Sequence, residues 1–382
     1  MSQQIVLPRL LQIGAGASAQ VGQILQSLGC SRPLIITDPV MVKLGYVERI
    51  QAHLPPSDVY ADTVPEPTES SLRGGVAMVQ QGHYDCLIAI GGGSPIDSAK
   101  AISILGKFGG RMRDYKVPRI VNEPGIPVIA IPTTAGTGSE ATRVTVITDD
   151  ECDEKMLCLG LGFLPVAALV DYELTLSLPP RTTADTGIDA LTHAIEAYVS
   201  RKASPYTDAQ ALQAMGLLAP NLRQAFHHGE DRAAREAMML GATLAGIAFS
   251  NASVALVHGM SRPIGAFFHV PHGLSNAMLL PAVTAYSIPA ATARYADCAR
   301  AMGIAGASDA DATANQKLLA ELIALNTELQ VPTPAAFGID RARFFSLLPV
   351  MAEQALASGS PANNPRIPSA DDVVQLYQSL WD

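Results

Sequence analysis

The sequence predicts an α/β N-terminal domain built on a parallel sheet, residues 1–178, followed by an all-α helical bundle, residues 179–382. Three observations carry this. Short, continuous apolar runs recur in the first part, each followed by turn residues. The texture changes after Leu178-Pro179-Pro180. Charged residues make up only 16% of the chain, against about 25% in ordinary soluble proteins, so much helix and strand surface must face inward. The strand candidates are residues 34–37 (LIIT), 86–90 (CLIAI), 127–131 (PVIAI) and 166–170 (VAALV). Runs of this length without polar alternation fit strands covered on both faces, and amphipathic stretches lie between them. The first three end at Asp38-Pro39, Gly91-Gly92-Gly93 and Pro132-Thr133-Thr134, which are turn signals. From Arg181 onward, Ala, Leu and Met recur at helical spacing with almost no β-branched runs, and Pro179-Pro180 is the hinge between the two textures.

Composition excludes several functions. The net charge is −9, with 13 basic against 18 acidic residues up to position 178 and 13 against 17 after it. Neither part offers the basic face that nucleic acid requires. The stretch Ala237–Ser261 lacks Asp, Glu, Lys and Arg and is long enough to cross a bilayer. It also holds Gly241, Thr243, Gly246, Ser250, Asn251, Ser253 and His258, so it reads as an inner helix of the bundle and not a membrane span. The N-terminal residues form no secretory signal, and the five cysteines are scattered with no C-x-x-C, as in a reduced cytoplasmic protein. Low charge also fits a homo-oligomer, a dimer or larger.

Two turns have the chemistry of a phosphate cradle. In Ala89–Lys100 a buried strand runs into Gly91, Gly92 and Gly93, then Ser94 and a helix that carries Asp97. Glycines there let backbone N–H groups approach a pyrophosphate, and the helix N-terminus adds positive potential. The next strand ends in Pro132–Glu140, rich in hydroxyls and small residues. Paired turns of this kind at neighbouring strand ends suit a dinucleotide. A third turn, Gly14-Ala15-Gly16, fits G-x-G-x-x-A, with Asp38 further on; it reads equally as a structural corner or a nucleotide contact.

Asp189 and His193 stand four residues apart, on one face of a helix that is otherwise apolar. An unpaired carboxylate would be costly there. His258, His269 and His272 follow in apolar segments next to Gly or Pro, whereas His227 and His228 lie in a polar loop. One Asp with three His is a ligand set for a divalent first-row metal that leaves room for substrate.

The segments GGGSPIDSAK, PTTAGTGSEAT, TGIDALTHAIEAYVS and PHGLSNA, with Asn364-Pro365-Arg366 near the end, together resemble the iron-containing (group III) alcohol dehydrogenases. The resemblance runs over nearly the whole chain. It implies the two-domain architecture shared with dehydroquinate synthases, with a catalytic metal in the cleft between the domains. It assigns the metal to Asp189, His193, His258 and His272. It places the pyrophosphate of NAD on Gly91 to Ser94, with Asp97 in the same motif, Thr133, Thr134 and Thr137 along the phosphate and nicotinamide side, and Lys155 reaching the cofactor. Asp38 matches the acid that binds the adenosine ribose and repels a 2′-phosphate, which favours NAD over NADP. The Gly14–Gly16 turn is not that family's pyrophosphate loop. The activity implied is interconversion of a small primary alcohol and its aldehyde on Fe(II), with hydride passing to or from the nicotinamide. The donor set also accepts Zn(II), Co(II) or Mn(II).

Two positions depart from the family pattern. Arg262 stands where a histidine is usual, four residues after His258. It reads either as a receptor for an anionic substrate group, or as the partner of a buried carboxylate or of the cofactor's own phosphates. His269 stands three residues before His272, as a proton relay or a partner to a ligand. Two other readings of the chain remain: a zinc-dependent polyol dehydrogenase of the glycerol dehydrogenase type, and a metal-dependent hydrolase of a phosphate-bearing substrate.

Overall fold

The computed structural model describes residues 4–152 and 154–381. The chain divides into two compact units, Met1–Ser177 and Leu178–Asp382.

The first unit holds eight strands among its described residues: β1 (Leu10–Ile13), β2 (Pro33–Ile36), β3 (Asp58–Tyr60), β4 (Cys86–Gly91), β5 (Val128–Pro132), β6 (Val144–Asp149), β7 (Glu154–Leu159) and β8 (Ala167–Val170). Six of them form one sheet in the order β1-β8-β5-β4-β2-β3, every pair parallel. Parallel strands need crossovers, supplied by α1 (Val21–Ser27), α2 (Pro39–Lys43), α3 (Tyr46–Gln51), α4 (Arg73–Gln81) and α5 (Gly93–Phe108). Burial alternates along the strands. Leu34, Ile36, Leu87, Ala89, Val128 and Ala130 pack into one core with Ile102 of α5. Ile35, Ile88, Ile90, Ile129 and Ile131 pack into the other, with Val21 of α1 and Ile50 of α3. Both faces are covered, so both sets must be apolar, which is why these strands read as unbroken runs.

The four strand candidates each appear, displaced by at most a residue at their ends. Sequence reading passes over β1, the three-residue edge strand β3, and the antiparallel hairpin of β6 and β7, which pair from Val144 with Leu159 to Asp149 with Glu154. In the hairpin the burial pattern of β6 alternates strictly, so it offers no continuous apolar run.

The second unit is helical: α6 (Pro180–Val199), α7 (Pro205–His227), α8 (Arg232–Ala252), α9 (Leu256–Phe268), α10 (His272–Ser287), α11 (Thr292–Ala301), α12 (Asp311–Glu328), α13 (Pro334–Phe337), α14 (Arg341–Ala357) and α15 (Ala370–Gln378). Pro180 and Pro205 occupy the first turns of α6 and α7, where a missing N–H costs nothing. The uncharged stretch Ala237–Ser261 is not one inner helix as the sequence reading expects. It is the end of α8 and the start of α9, bent by 103° across residues 253–255. Ser253 sits at φ 67°, and the freed N–H groups of Ala255 and Val257 donate to the carboxylate of Glu196. A buried acid on α6 thus caps the start of α9. Among the described residues no single helix is long and apolar enough to cross a membrane.

Candidate functional site

In the first unit the two small-residue turns meet. Gly91, at φ +148°, ends β4; a Cβ there would lie 2.5 Å from Pro95, so only glycine fits. Gly92 is the N-cap of α5 and offers no side chain to it. A Cβ on Gly92 would stand 3.2 Å from Cγ2 of Thr134, and one on Gly93 only 2.8 Å from Cγ2 of Thr137. Thr133 joins the turns through its N–H to the carbonyl of Gly91, at 2.9 Å. Its own hydroxyl is buried with no hydrogen-bond partner among the described residues. Gly91, Gly92, Gly93, Ser94, Thr133, Thr134 and Thr137 are therefore one constellation. Bare N–H groups at the start of a long helix, a cradle without Cβ atoms and an orphaned hydroxyl are what an anionic nucleotide requires.

Asp97 has a different position. Its two oxygens accept from the Ser139 hydroxyl at 2.6 Å and the Val146 N–H at 2.9 Å. It ties α5 to the second turn and to β6. The fully buried Lys100 completes this clamp, donating to Ser139, Thr142 and the carbonyl of Val144; burial, opposed by Asp97 and Glu140, pushes its pKa down to about 8. Lys155 lies on β7, ion-paired with Glu66. Asp38 caps α2 with Oδ1, accepting from Val40 and Met41, and among the described residues no hydrogen bond occupies Oδ2.

The Gly14–Gly16 turn is closed from within. Gly16 N–H, Ser18 N–H and the Ser18 hydroxyl donate to the buried carboxylate of Asp171, at 3.1, 3.2 and 2.6 Å. Those donors already hold an anion. This resolves the two readings of that turn as a structural corner.

In the second unit Asp189, His193, His258 and His272 converge, each presenting one ligand atom, all within 4.8 Å of one another. Asp189 and His193 come from one face of α6, His258 from the first turn of α9, and His272 from the first residue of α10. Gly273 brings α10 in: a Cβ there would collide with the Asp185 carbonyl at 2.2 Å. Oδ1 of Asp189 faces Nε2 of His258, His272 and His193 at 3.5, 3.8 and 3.9 Å. These separations exceed a hydrogen bond. They suit N and O ligands gathered around one first-row cation with bonds of about 2.1 Å. The side chains of Asp189, His193 and His258 are 3%, 5% and 4% exposed, while that of His272 is 32% exposed, so the cluster opens on the His272 side.

The electrostatics favour positive charge. Burial works against ionisation of Asp189, yet His193, His272 and His258 hold its carboxyl well below the usual range. Burial likewise disfavours charge on His258, but Glu196 and Asp189 raise its pKa to about 9. His193 is fixed by stacking, 4.2 Å from the Phe249 ring and 4.4 Å from that of His258.

Two residues escaped sequence reading. Glu196 accepts from Nδ1 of His258 at 2.6 Å, which turns Nε2 toward Asp189. Its signal was spacing: positions 189, 193 and 196 share a helix face. Asn276 directs its amide nitrogen to Asp189 Oδ1 at 2.7 Å, with His258 Nε2 at 3.1 Å and His272 Nε2 at 3.3 Å, while its Oδ1 is buried without a partner among the described residues. It stands four residues after His272 on α10, the same spacing as Asp189 and His193. His269 is outside the cluster: it is exposed and ends α9 in the left-handed conformation, φ 55°. Arg262 lies on α9 one turn after His258 and donates to the Ser360 hydroxyl at 3.1 Å.

The chain matches the family described as iron-containing alcohol dehydrogenase over residues 8–172, and the C-terminal part of the Fe-containing alcohol dehydrogenase family over residues 183–381. It is 35% identical to an NAD-dependent methanol dehydrogenase of Bacillus methanolicus, with 98% of each chain covered. It is also 35% identical to the lactaldehyde reductase of Escherichia coli K12, with 100% of each covered. A solved 1,3-propanediol oxidoreductase superposes with a TM-score of 0.94 at 34% identity, over 100% of both chains.

Proposed function

The chain belongs to the iron-containing alcohol dehydrogenase family, and on that premise we propose that it interconverts a small primary alcohol and its aldehyde, using NAD(H) and Fe(II) held by Asp189, His193, His258 and His272. The observation that carries the reading is the convergence of these four donors at separations suited to one cation and too long for hydrogen bonds. Bound there, the metal supplies Lewis-acid polarisation of the substrate oxygen, and the nicotinamide supplies or takes up the hydride.

The protein's own side chains do the rest. Asp189 contributes the one formal negative charge of the ligand set, held ionised by the imidazoles around it. Glu196 fixes the ring of His258, and both of its oxygens are engaged, Oε2 by His258 and Ala255 and Oε1 by Val257, so it serves as a partner to a ligand. The exposed edge at His272 is the side on which a substrate oxygen enters. The N–H groups at the start of α5 receive the pyrophosphate, Thr133 offers the hydroxyl that has no internal partner, and Asp38 meets the adenosine ribose through Oδ2. Asp97 acts on the cofactor indirectly, by holding the second turn against α5. The family match favours this reading over a polyol dehydrogenase or a phosphate-ester hydrolase.

The test is anaerobic reconstitution with Fe(II), followed by metal analysis and NADH oxidation over a panel of small aldehydes. The His272→Ala variant is expected to lose bound metal and activity together. Retention of both would refute the assignment.

A further inference from the structure

Among the described residues Arg262 is a cation without a counter-ion. Its guanidinium has five N–H donors, and among the described residues one of them is used, on the neutral hydroxyl of Ser360. Among the described residues no carboxylate is ion-paired with it. The nearest acid it senses is Glu196, whose oxygens are taken by His258, Ala255 and Val257. Other partly covered arginines here are neutralised: Arg113 by Asp149, Arg223 by Glu321, Arg294 by Asp208 and Arg300 by Asp311. The buried Arg235 spends its donors on Gly229, Thr183 and Leu178. Arg262 is partly buried; burial, opposed by Glu196, pushes its pKa down to about 10, so it remains charged at neutral pH. An arginine in that position is stabilised by an anion brought from outside.

Its place says which anion. Arg262 follows His258 by four residues, so the two share a helix face about 6 Å apart along the axis. Long helical side chains lean toward the helix N-terminus, and the acid whose field reaches the guanidinium is Glu196, which holds the ring of His258. The neighbouring segment is pressed close by Gly259, where a Cβ would lie 2.6 Å from Pro361, and this seats Ser360 against the guanidinium. We propose that Arg262 is the receptor for an anionic group on the substrate, and that the preferred substrates are short aldehydes and alcohols bearing a carboxylate, sulfonate or phosphate a few atoms from the reacting carbon. This rests on the reading that the substrate oxygen is bound at the Asp189–His272 cluster. The reading of Arg262 as the partner of a buried carboxylate is not met, and the dinucleotide's phosphates are the other source of the same chemistry.

The experiment compares the Fe(II)-loaded wild type with Arg262→Leu and Arg262→Lys. Three quantities are measured: kcat/KM for succinic semialdehyde and for uncharged butanal, the Kd for NADH by fluorescence, and the calorimetric Kd for 4-hydroxybutanoate against 1-butanol. Arg262→Leu is expected to lose about 30-fold more on the charged aldehyde than on the neutral one, the worth of one hydrogen-bonded charge. Arg262→Lys should recover part of that difference. The Kd for NADH should move by less than about twofold, since no cofactor contact is lost. Equal losses on both aldehydes would overturn the proposal. So would a weakened NADH complex with unchanged selectivity, which would place the guanidinium on the cofactor. If the wild type reduces neither aldehyde, the proposed activity fails, and the calorimetric arm still decides: selective loss of 4-hydroxybutanoate binding in Arg262→Leu supports the anion receptor, and equal binding refutes it.

Discussion

The Gly14–Ser18 turn and the Gly91–Ser94 turn look alike as sequence, since each is a short glycine turn after a strand and before a helix, yet they differ in who occupies their donors. In the first, Asp171 accepts from Gly16 and Ser18 and seals the turn. In the second, the N-cap residue supplies no acceptor, and the neighbouring Thr133 hydroxyl has none either. A phosphate site is thus defined by donors left over, and glycine merely permits it. The helical unit repeats the contrast with two acids on one helix. Glu196 accepts from three donors of the fold, while Asp189 accepts from Asn276 and faces three imidazole nitrogens at 3.5, 3.8 and 3.9 Å. One acid is consumed by the fold and the other is left for a cation.

Four substitutions test these contrasts. The largest effect is expected at the open turn: Gly93→Val pushes a Cβ against Thr137 and should weaken NADH binding about 100-fold by fluorescence titration. An unchanged Kd would mean that the turn is not the cradle. Next comes the saturated acid. Glu196→Gln leaves one acceptor for three donors, and Fe(II) affinity by chelator competition should fall about 10–100-fold. If metal affinity holds and only the melting temperature drops, Glu196 serves the α8–α9 bend alone. At the sealed turn, Asp171→Asn should cost about 1–3 kcal/mol of unfolding free energy in urea while leaving the NADH Kd in place. A tenfold change in that Kd would erase the distinction between the turns. The smallest effect is at Asp38, where substitution by glycine should raise the NADPH-to-NADH activity ratio by a factor of about five or less, as for one exposed charge; an unmoved ratio would remove Asp38 from the ribose contact.

The parts legible in the sequence are those in which one segment carries its own reason. The central strands show because burial on both faces forbids polar residues, and Asp189 with His193 shows because four-residue spacing on an apolar face is conspicuous. The hidden parts depend on partners far along the chain. Asp171 reaches Ser18 across more than 150 residues, and Glu196 finds its donors at positions 255–258. The uncharged stretch Ala237–Ser261 reads as one helix because no proline or glycine marks its break, and the cap that starts α9 comes from Glu196, far back in the chain. His269 misleads for the opposite reason: its residue type suits chemistry, whereas its position is a left-handed helix end, exposed to solvent.

The strand order has a bearing on how the chain is made. β1 pairs along its length with β8, Leu10 with Ala167 through Ile13 with Val170. The first strand to leave a ribosome therefore has no place in the sheet until the last one follows it. Because this contact is among the most distant in the unit, its loop-closure entropy is large and the pairing should form slowly. Until β8 arrives, β5 presents an unpaired edge, the kind of surface that joins wrongly to other chains. A nascent chain halted shortly before Ala167 would hold β1 without its neighbour, and that is the stage at which a chaperone would have most to protect.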